Sequence, residues 1–525
     1  MKQRIRIWSI GASDSCAGAG LQADLAVGHA CGVDVGVLTM AVTAQSSHGV
    51  KALQLLPLSM CEAQWQALLD DGLPAVIRLG WLPAEQTLLN WLLAKLEGYA
   101  GWVIWDPVMS ATRGGLPERT DPVSVWQPLL RRCDVITPNL QEACALAGLP
   151  ANASVDDIVG NLRAAGAGHI LLTGSNATSR VGQQDEAAVW QQDCFFPAAE
   201  GSGCHSVDEL PGPSLLPEFR LCHPRIAREV HGTGCHLAAQ LACSLALGYT
   251  LYDAVVRAVA GARQAIRLAS GRASGYHNAW AGDPDDSMAE DWPRVFAGGQ
   301  ADDEPASSMA FSPCERPLGV YALTDNLEHL IALIDAGVDT LQWRVKSPQP
   351  DYPDTTRQAI ELCRRAGVPL YINDDWALAI RLNAYGVHLG QEDLNLADLT
   401  AIAEAGLRLG ISTHSDWEIA RARALQPSYI AFGPVFIPLS KKLRYQPLGV
   451  DCVARWSQRF SEHTLTCIGG ITEHTIVGLN ASAMASAAVV TALAPGPELA
   501  QRVSGLRKLM PALEMYERGP ISENC

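Results

Sequence analysis

The run Glu229-Val-His-Gly-Thr-Gly-Cys-His-Leu-Ala-Ala-Gln-Leu-Ala-Cys-Ser-Leu-Ala-Leu-Gly248 places Gly232, Gly234 and the thiol of Cys235 at the head of a segment whose Leu237, Leu241, Ala242 and Leu245 share one face. This spacing predicts a tight loop opening an amphipathic helix. The first N–H groups of such a helix have no internal partner and lie at the positive end of its dipole, which makes an anion site. Glycine at 232 and 234 would let the backbone approach a phosphate closely. A Gly-rich turn that merely starts a packed helix has the same sequence, so this stretch alone leaves both readings open.

A second chemical set lies downstream: Gln342, Arg344 and Lys346, then Asn373-Asp374-Asp375, His388, Gln391-Glu392-Asp393, Ser412, Gly433-Pro434, Gly469-Gly470 and Thr491. Asp374 and Asp393 are hard carboxylates, suited to Mg2+ that keeps most of its water and also holds substrate phosphates. Arg344, Lys346 and Lys441 supply positive charge, while Gly469-Gly470 and the turn after Thr491 would form a backbone cup for phosphate. One ligand would then carry a metal-bound diphosphate and a second a monophosphate. Asp375 is expected to cap a helix, and His388 to be a hydrogen-bonding neighbour instead of a ligand or base.

The elements that must position these residues fall into two patterns. In the first half, β-type runs at Ile5 to Ile10, Val35 to Met40, Val76 to Leu79, Trp102 to Trp105, Asp134 to Thr137 and His169 to Leu172 alternate with longer helical ones. That is α/β with a mainly parallel sheet. Polar and Gly residues cluster just after these strands, where open α/β sheets bind ligands. Ala198 to Pro217, with its glycines and prolines, reads as a surface insertion or a lid. In the second half, β-type runs near Val320, Leu341, Leu370, Val387, Leu409, Ile430, Leu465 and Val489 predict a closed (βα)8 barrel, with the polar residues converging on one rim.

With 525 residues the chain is too long for one ordinary core. We expect a first domain over 1–282, an acidic linker over 283–316 and a second domain over 317–525. A net charge of −16 argues against nucleic-acid and anionic-membrane partners, so any phosphate site must be local. Fifteen scattered cysteines without a C-x-x-C pair indicate neither a disulfide framework nor a zinc site, which fits a cytoplasmic location. The N-terminus does not read as a signal peptide, and no stretch is apolar enough to span a membrane.

Tyr371-Ile-Asn-Asp-Asp, Gly386-Val-His-Leu-Gly-Gln-Glu-Asp393 and Cys467-Ile-Gly-Gly-Ile471 resemble the thiamine-phosphate synthase family over about 317 to 512. The resemblance implies a TIM barrel that uses Mg2+ to join a pyrimidine methyl diphosphate to a thiazole phosphate with loss of pyrophosphate. By motif position it implies that Asp374 and Asp393 hold Mg2+, that Gln342, Arg344, Lys346, Asn373 and Lys441 hold the diphosphate, and that Ser412 faces the pyrimidine. Ser440, Gly469, Gly470 and Thr491 would lie near the thiazole phosphate, and Lys441 would also belong to the catalytic set. Where the family usually has Thr-x-Thr-Lys, this chain has Pro438-Leu-Ser440-Lys441.

The first half is similar to the hydroxymethylpyrimidine and phosphomethylpyrimidine kinases, with a ribokinase-like α/β/α fold, over about 5 to 282. The matching stretches are Ser13-Asp-Ser-Cys-Ala-Gly-Ala-Gly-Leu-Gln-Ala-Asp24, Thr43-Ala-Gln45, Trp105-Asp-Pro-Val-Met109, Ile136-Thr-Pro-Asn-Leu-Gln-Glu142 and His231-Gly-Thr-Gly-Cys235. The resemblance implies ATP-dependent phosphorylation of the pyrimidine alcohol and then of its monophosphate. Asp24 and Gln45 would hold the pyrimidine, Asn139 and Glu142 would orient Mg2+-ATP, and Gly232, Gly234 and Cys235 would form the catalytic anion hole. A thiol at a helix N-terminus can have a lowered pKa, so Cys235 is a candidate base, with an inert small residue as the alternative. The family's Lys-Gly-Gly is Thr173-Gly-Ser here and its first-loop Ser is Cys16, so Arg113 is a candidate for the missing positive charge. Together the halves predict a bifunctional enzyme of thiamine biosynthesis, a homo-oligomer acting on small molecules. Two other readings are a pyridoxal-type kinase fused to a barrel, and a degenerate kinase-like ligand sensor beside an active synthase.

Overall fold

The computed structural model describes residues 4–46, 48–109, 123–177, 190–199, 204–205, 218–271, 277–298, 311–437, 446–479 and 484–510. They form two compact units, the chain dividing between Pro305 and Ala306. The strands of the first unit are β1 (Arg6–Asp14), β2 (Asp34–Ser46), β3 (Gly49–Leu55), β4 (Val76–Leu79), β5 (Trp102–Trp105), β6 (Val135–Ile136), β7 (His169–Ala177), β8 (Trp190–Phe196), β9 (Phe219–Pro224), β10 (Val230–His231), β11 (Ser270–Gly271), β12 (His277–Asn278) and β13 (Arg294–Ala297).

Ten of these make one sheet in the order β13-β9-β8-β7-β6-β5-β4-β1-β2-β3, while β10, β12 and β11 make a small second sheet. The six expected strands form the parallel centre of the large sheet. Val76, Ile77, Val103, Ile104, Val135 and Ile136 are wholly buried there, as helix-covered parallel strands require. The flanks were not expected: β3 pairs antiparallel with β2, and β8, β9 and β13 continue antiparallel from β7. The expected insertion from Ala198 to Pro217 lies mostly outside the described residues.

Two expectations need correction. The helix Thr233–Ala246 is not half-exposed, because every residue from Cys235 to Leu245 is buried. It packs against the helices Gly20–Ala30 and Leu251–Arg267 as well as the sheet, so no face is left for solvent. The stretch from Asp283, read as linker, instead forms turns at Pro284–Asp286 and Ala289–Asp291 and then β13 on the sheet edge. Its acidic residues face arginines of the helix Leu251–Arg267. Arg257 Nη1 lies 2.9 Å from Asp285, and Arg267 Nη2 lies 2.6 Å from the fully buried Asp291. Arg263 donates from Nε to the Asp291 carbonyl at 3.1 Å.

The second unit is a closed barrel of parallel strands: β14 (Gly319–Thr324), β15 (Thr340–Trp343), β16 (Leu370–Asn373), β17 (Gly386–Leu389), β18 (Arg408–Thr413), β19 (Tyr429–Phe432), β20 (Leu465–Ile468) and β21 (Ser486–Val489). Each expected run is a strand. Asn326, Asp375, Asp398 and Ser415 start helices by accepting a backbone N–H with their side chains, so the reading of Asp375 as a cap holds. The barrel interior holds three fully buried tyrosines, Tyr321, Tyr371 and Tyr429, with the rings of Tyr371 and Tyr429 edge-on at 5.0 Å. Among the described residues no helix is long and apolar enough to cross a membrane.

Asp291→Ala should remove the buried partner of the partly exposed Arg267 guanidinium, a loss of about 1.5–3 kcal/mol for a charge-assisted hydrogen bond. Denaturant unfolding should show a lower midpoint, and amide hydrogen exchange should quicken in β9 and β13. Unchanged exchange there would mean that the acidic segment does not hold the sheet edge.

Candidate active sites

In the first unit, parallel strand ends supply the walls of a cleft of about 450 Å³ lined by Asp14, Gln45, Asp106, Asn139, Glu142, Thr173, His231 and Gly232 to Cys235. Asp14 ends β1, Gln45 lies near the end of β2, and Asp106 and Asn139 follow β5 and β6. A second cavity of about 390 Å³ shares Asn139, Gln141, Thr173, Thr233 and Gly234 with it. Gly232 is the N-cap of the helix Thr233–Ala246 with φ 85°, and no side chain caps the N–H groups that follow. A Cβ at 232 would run into the Gly18 carbonyl, so the turn needs glycine twice over. This is the uncapped helix start that an anion site requires.

Gln45 is in the cleft, with Nε2 2.9 Å from His231 Nε2. That ring nitrogen is also 3.3 Å from Asp14, which accepts the N–H groups of Cys16 at 2.8 Å and Ala19 at 2.9 Å. Burial works to raise the Asp14 pKa, but the His231 contact and these N–H groups prevail and hold it below the usual carboxylate value. Asn139 and Glu142 line the cleft and close a capping box, each side chain accepting the other's N–H at 2.9 Å. Burial and the charge of Asp106 push Glu142 up to about 8.

Two assignments change. Asp24 is 1% exposed and lies behind the cleft wall, where Ser9 donates to it and Arg78 Nη1 lies 3.3 Å away. Arg78 also reaches Asp106 at 2.6 Å, which makes a buried carboxylate–guanidinium–carboxylate cluster. Asp14 and His231, themselves largely buried, line the cleft instead. Both stood in the quoted motifs, and the sign that marked them is their place beside glycines at a strand end. Cys235 does start the helix, yet burial and then Asp106 push its thiol up to about 12, opposite to the lowering expected at a helix N-terminus. The raised thiol makes Cys235 a poorer base than its place at a helix N-terminus alone would suggest. Arg113 lies outside the described residues.

On the barrel, Gln342 is the last residue but one of β15, with Arg344 and Lys346 beyond its end, and Asn373 ends β16. Asp374 follows with φ 63° and faces Asp393, whose Oδ2 accepts the Gly390 N–H at 3.1 Å. Partial burial, then the charge of Asp393, raise Asp374 to about 6, with Arg344 pulling the other way. Ser412 is in β18, while Gly469 and Gly470 follow β20 with φ 106° and 67°, and Thr491 follows β21. The topology therefore puts all of these at the carboxyl ends of the strands. Ser440 and Lys441 lie outside the described residues. His388 is a hydrogen-bonding neighbour, as expected: Nε2 lies 2.7 Å from Ser412 Oγ and Nδ1 2.7 Å from the Tyr429 hydroxyl. Burial, then Arg344 and His414, push it down to about 3, so it is neutral. Tyr321 and Tyr429, which support this rim from below, were not foreseen.

The Asp374–Asp393 pair has a readable signature. Because Asp374 holds its proton more tightly when folded than its ordinary value of 3.8, its contribution to metal-free stability is present at low pH and lost as pH rises through about 6. Asp374→Asn should therefore gain thermal stability relative to the parent above that pH, by a few degrees. Mg2+ should raise the melting temperature of the parent and not that of the variant. Equal responses to Mg2+ would exclude this pair as a cation site.

Comparison with known proteins agrees with both halves. A family model for thiamine monophosphate synthase matches residues 320–493, and one for phosphomethylpyrimidine kinase matches 14–206 and 217–279. The thiamine-phosphate synthase of Photorhabdus laumondii subsp. laumondii is 41% identical over 206 residues, 39% of this chain and 95% of its own length. That of Klebsiella pneumoniae subsp. pneumoniae is 46% identical over 184 residues, 35% of this chain and 87% of its own. Among solved structures, a phosphomethylpyrimidine kinase from Clostridium difficile is similar at 24% identity and TM-score 0.36, covering 48% of this chain and 95% of that one. The chain belongs to the thiamine-phosphate synthase family through its barrel and carries, earlier in its sequence, a domain of the phosphomethylpyrimidine kinase family.

Proposed function

We propose that this bifunctional enzyme of thiamine biosynthesis phosphorylates 4-amino-5-hydroxymethyl-2-methylpyrimidine twice at the expense of ATP and then couples the diphosphate to hydroxyethylthiazole phosphate. The observation that carries this reading is the presence, in one chain, of two family matches whose reactions are consecutive. In the kinase half the alcohol oxygen attacks the γ-phosphorus of ATP, the bond to ADP breaks, and the hydroxyl proton is released to solvent. The same transfer onto the monophosphate gives the diphosphate. The N–H groups after Gly232 and at Gly234 stabilise the phosphoryl group in transit. Gln45, braced by His231, holds the pyrimidine, and Asn139 and Glu142 orient the ATP phosphates. Cys235, protonated, is a phosphate neighbour.

In the barrel half the bond from the pyrimidine methylene carbon to pyrophosphate breaks, the ring stabilises the resulting cation, and the thiazole nitrogen attacks it. Asp374 and Asp393 are the residues that hold Mg2+. The facing carboxylates support this, since their mutual repulsion is what a divalent cation relieves. Two carboxylates alone would leave room on the ion for water and for the substrate diphosphate. When bound, the ion neutralises the leaving group. Arg344, Lys346 and Lys441 add charge, Gln342 and Asn373 position the diphosphate, and Ser412 contacts the pyrimidine. Ser440, Gly469, Gly470 and Thr491 hold the thiazole phosphate.

Incubation with pyrimidine alcohol, ATP, Mg2+ and thiazole phosphate, followed by phosphorus NMR, should show monophosphate, diphosphate, pyrophosphate and thiamine phosphate in turn. If supplied diphosphate is coupled but none is made, the kinase assignment fails. Asp374→Ala should cut coupling by about 10²-fold or more and leave ATP use intact, whereas Gly232→Ala should cut ATP use and leave coupling of supplied diphosphate intact. Loss of both activities in either variant contradicts two separate sites.

A further inference from the structure

A chain of hydrogen bonds crosses the barrel interior beneath the synthase rim. Gln342 Nε2 donates to the Tyr321 hydroxyl at 3.0 Å, and the Tyr321 and Tyr429 hydroxyls are 2.8 Å apart. Tyr429 meets His388 Nδ1 at 2.7 Å, and His388 Nε2 meets Ser412 Oγ at 2.7 Å. The strand register explains how His388 reaches so far. Gly410 is paired with His388 on one side and with Tyr429 on the other. A Cβ at 410 would enter the Tyr429 ring, so the missing side chain is the space through which the two groups meet.

The proton order along the chain follows from its ends. Tyr321 is wholly buried and already accepts the Gln342 N–H, so its own proton needs Tyr429 as acceptor. Tyr429 must then donate to His388 Nδ1. The neutral imidazole carries its single proton on Nε2 and donates it to Ser412. The opposite order would require the Gln342 carbonyl on the phenol, where the amide N–H lies instead.

We infer that Tyr321, Tyr429 and His388 are positioning residues that fix Ser412 as a hydrogen-bond donor, so that the synthase site selects a substrate presenting an acceptor, such as a pyrimidine ring nitrogen, at that point. This inference rests on the reading that Ser412 contacts the pyrimidine. His388 accepts from the core and gives to the serine, whose proton is left for the substrate. The tyrosines touch no substrate and act through the histidine.

The test uses the full chain labelled with 15N in its histidine rings, with the His388 signals assigned by His388→Gln. Nitrogen–proton correlation at neutral pH should show His388 as the Nε2–H tautomer in the parent and a changed tautomer balance in Tyr429→Phe. An Nδ1–H tautomer in the parent overturns the inference and leaves the reading of the rim standing. Tyr429→Phe should lower kcat/KM for coupling about tenfold, and Tyr429→Phe with Ser412→Ala should be no worse than Ser412→Ala alone. Additive losses overturn the relay. Unchanged coupling in Ser412→Ala overturns both the relay and the reading beneath it. Should Tyr429→Phe fail to fold, Tyr321→Phe and the parent tautomer decide the matter.

Discussion

The guanidinium of Arg78 is the interaction on which the first unit depends. It rises from β4 and is pinned between Asp24 of the helix Gly20–Ala30 and Asp106 at the end of β5, all three nearly sealed from solvent. A lone charge there would be untenable; one carboxylate balances the guanidinium, and the second adds negative charge beside the head of the helix Thr233–Ala246. The cluster locks two strands and a helix into one register and sets the electrostatics behind the phosphate loop. Its second carboxylate helps keep the Cys235 thiol protonated and raises Glu142. Substitutions at Asp24 therefore report on folding before they report on substrate.

Both sites obey one geometric rule by different means. Parallel strands deliver side chains and free backbone groups to their carboxyl ends, and the loops there meet the ligands. The first unit presents uncapped backbone N–H groups at a helix start and buries its charges behind them. The barrel keeps its acids and bases on the rim and uses its interior for neutral polar groups, Tyr321, Tyr429 and His388, whose donors and acceptors are matched. Gradual replacement of charge by hydroxyl with depth follows from the desolvation penalty.

Much of this was legible in the residues. The central strands announce themselves as Val, Ile and Trp runs too short for helices, and the barrel as the same pattern repeated. The flanking strands do not, because β3, β8, β9 and β13 owe their place to an existing edge more than to their own composition. Asp283 to Ala297 was misread for a specific reason. Its acids look solvated until Arg257, Arg263 and Arg267, in a helix some way back in the chain, are brought against them. The tyrosine core depends on register: Gly386 lies opposite Tyr371 and Gly410 opposite Tyr429, and a glycine means room for a ring only once its neighbour is known. The sign of the Cys235 shift was lost because the helix dipole was weighed without burial.

The rim acids carry one more consequence. With Asp374 titrating near 6 beside Asp393, a proton and a divalent cation compete for the same pair of carboxylates. Were an ion held there, its uptake below that pH would expel a proton into solution, and apparent affinity would fall by about one decade for each further pH unit. Occupancy of such a position would then depend on pH through the same two carboxylates that bind the ion.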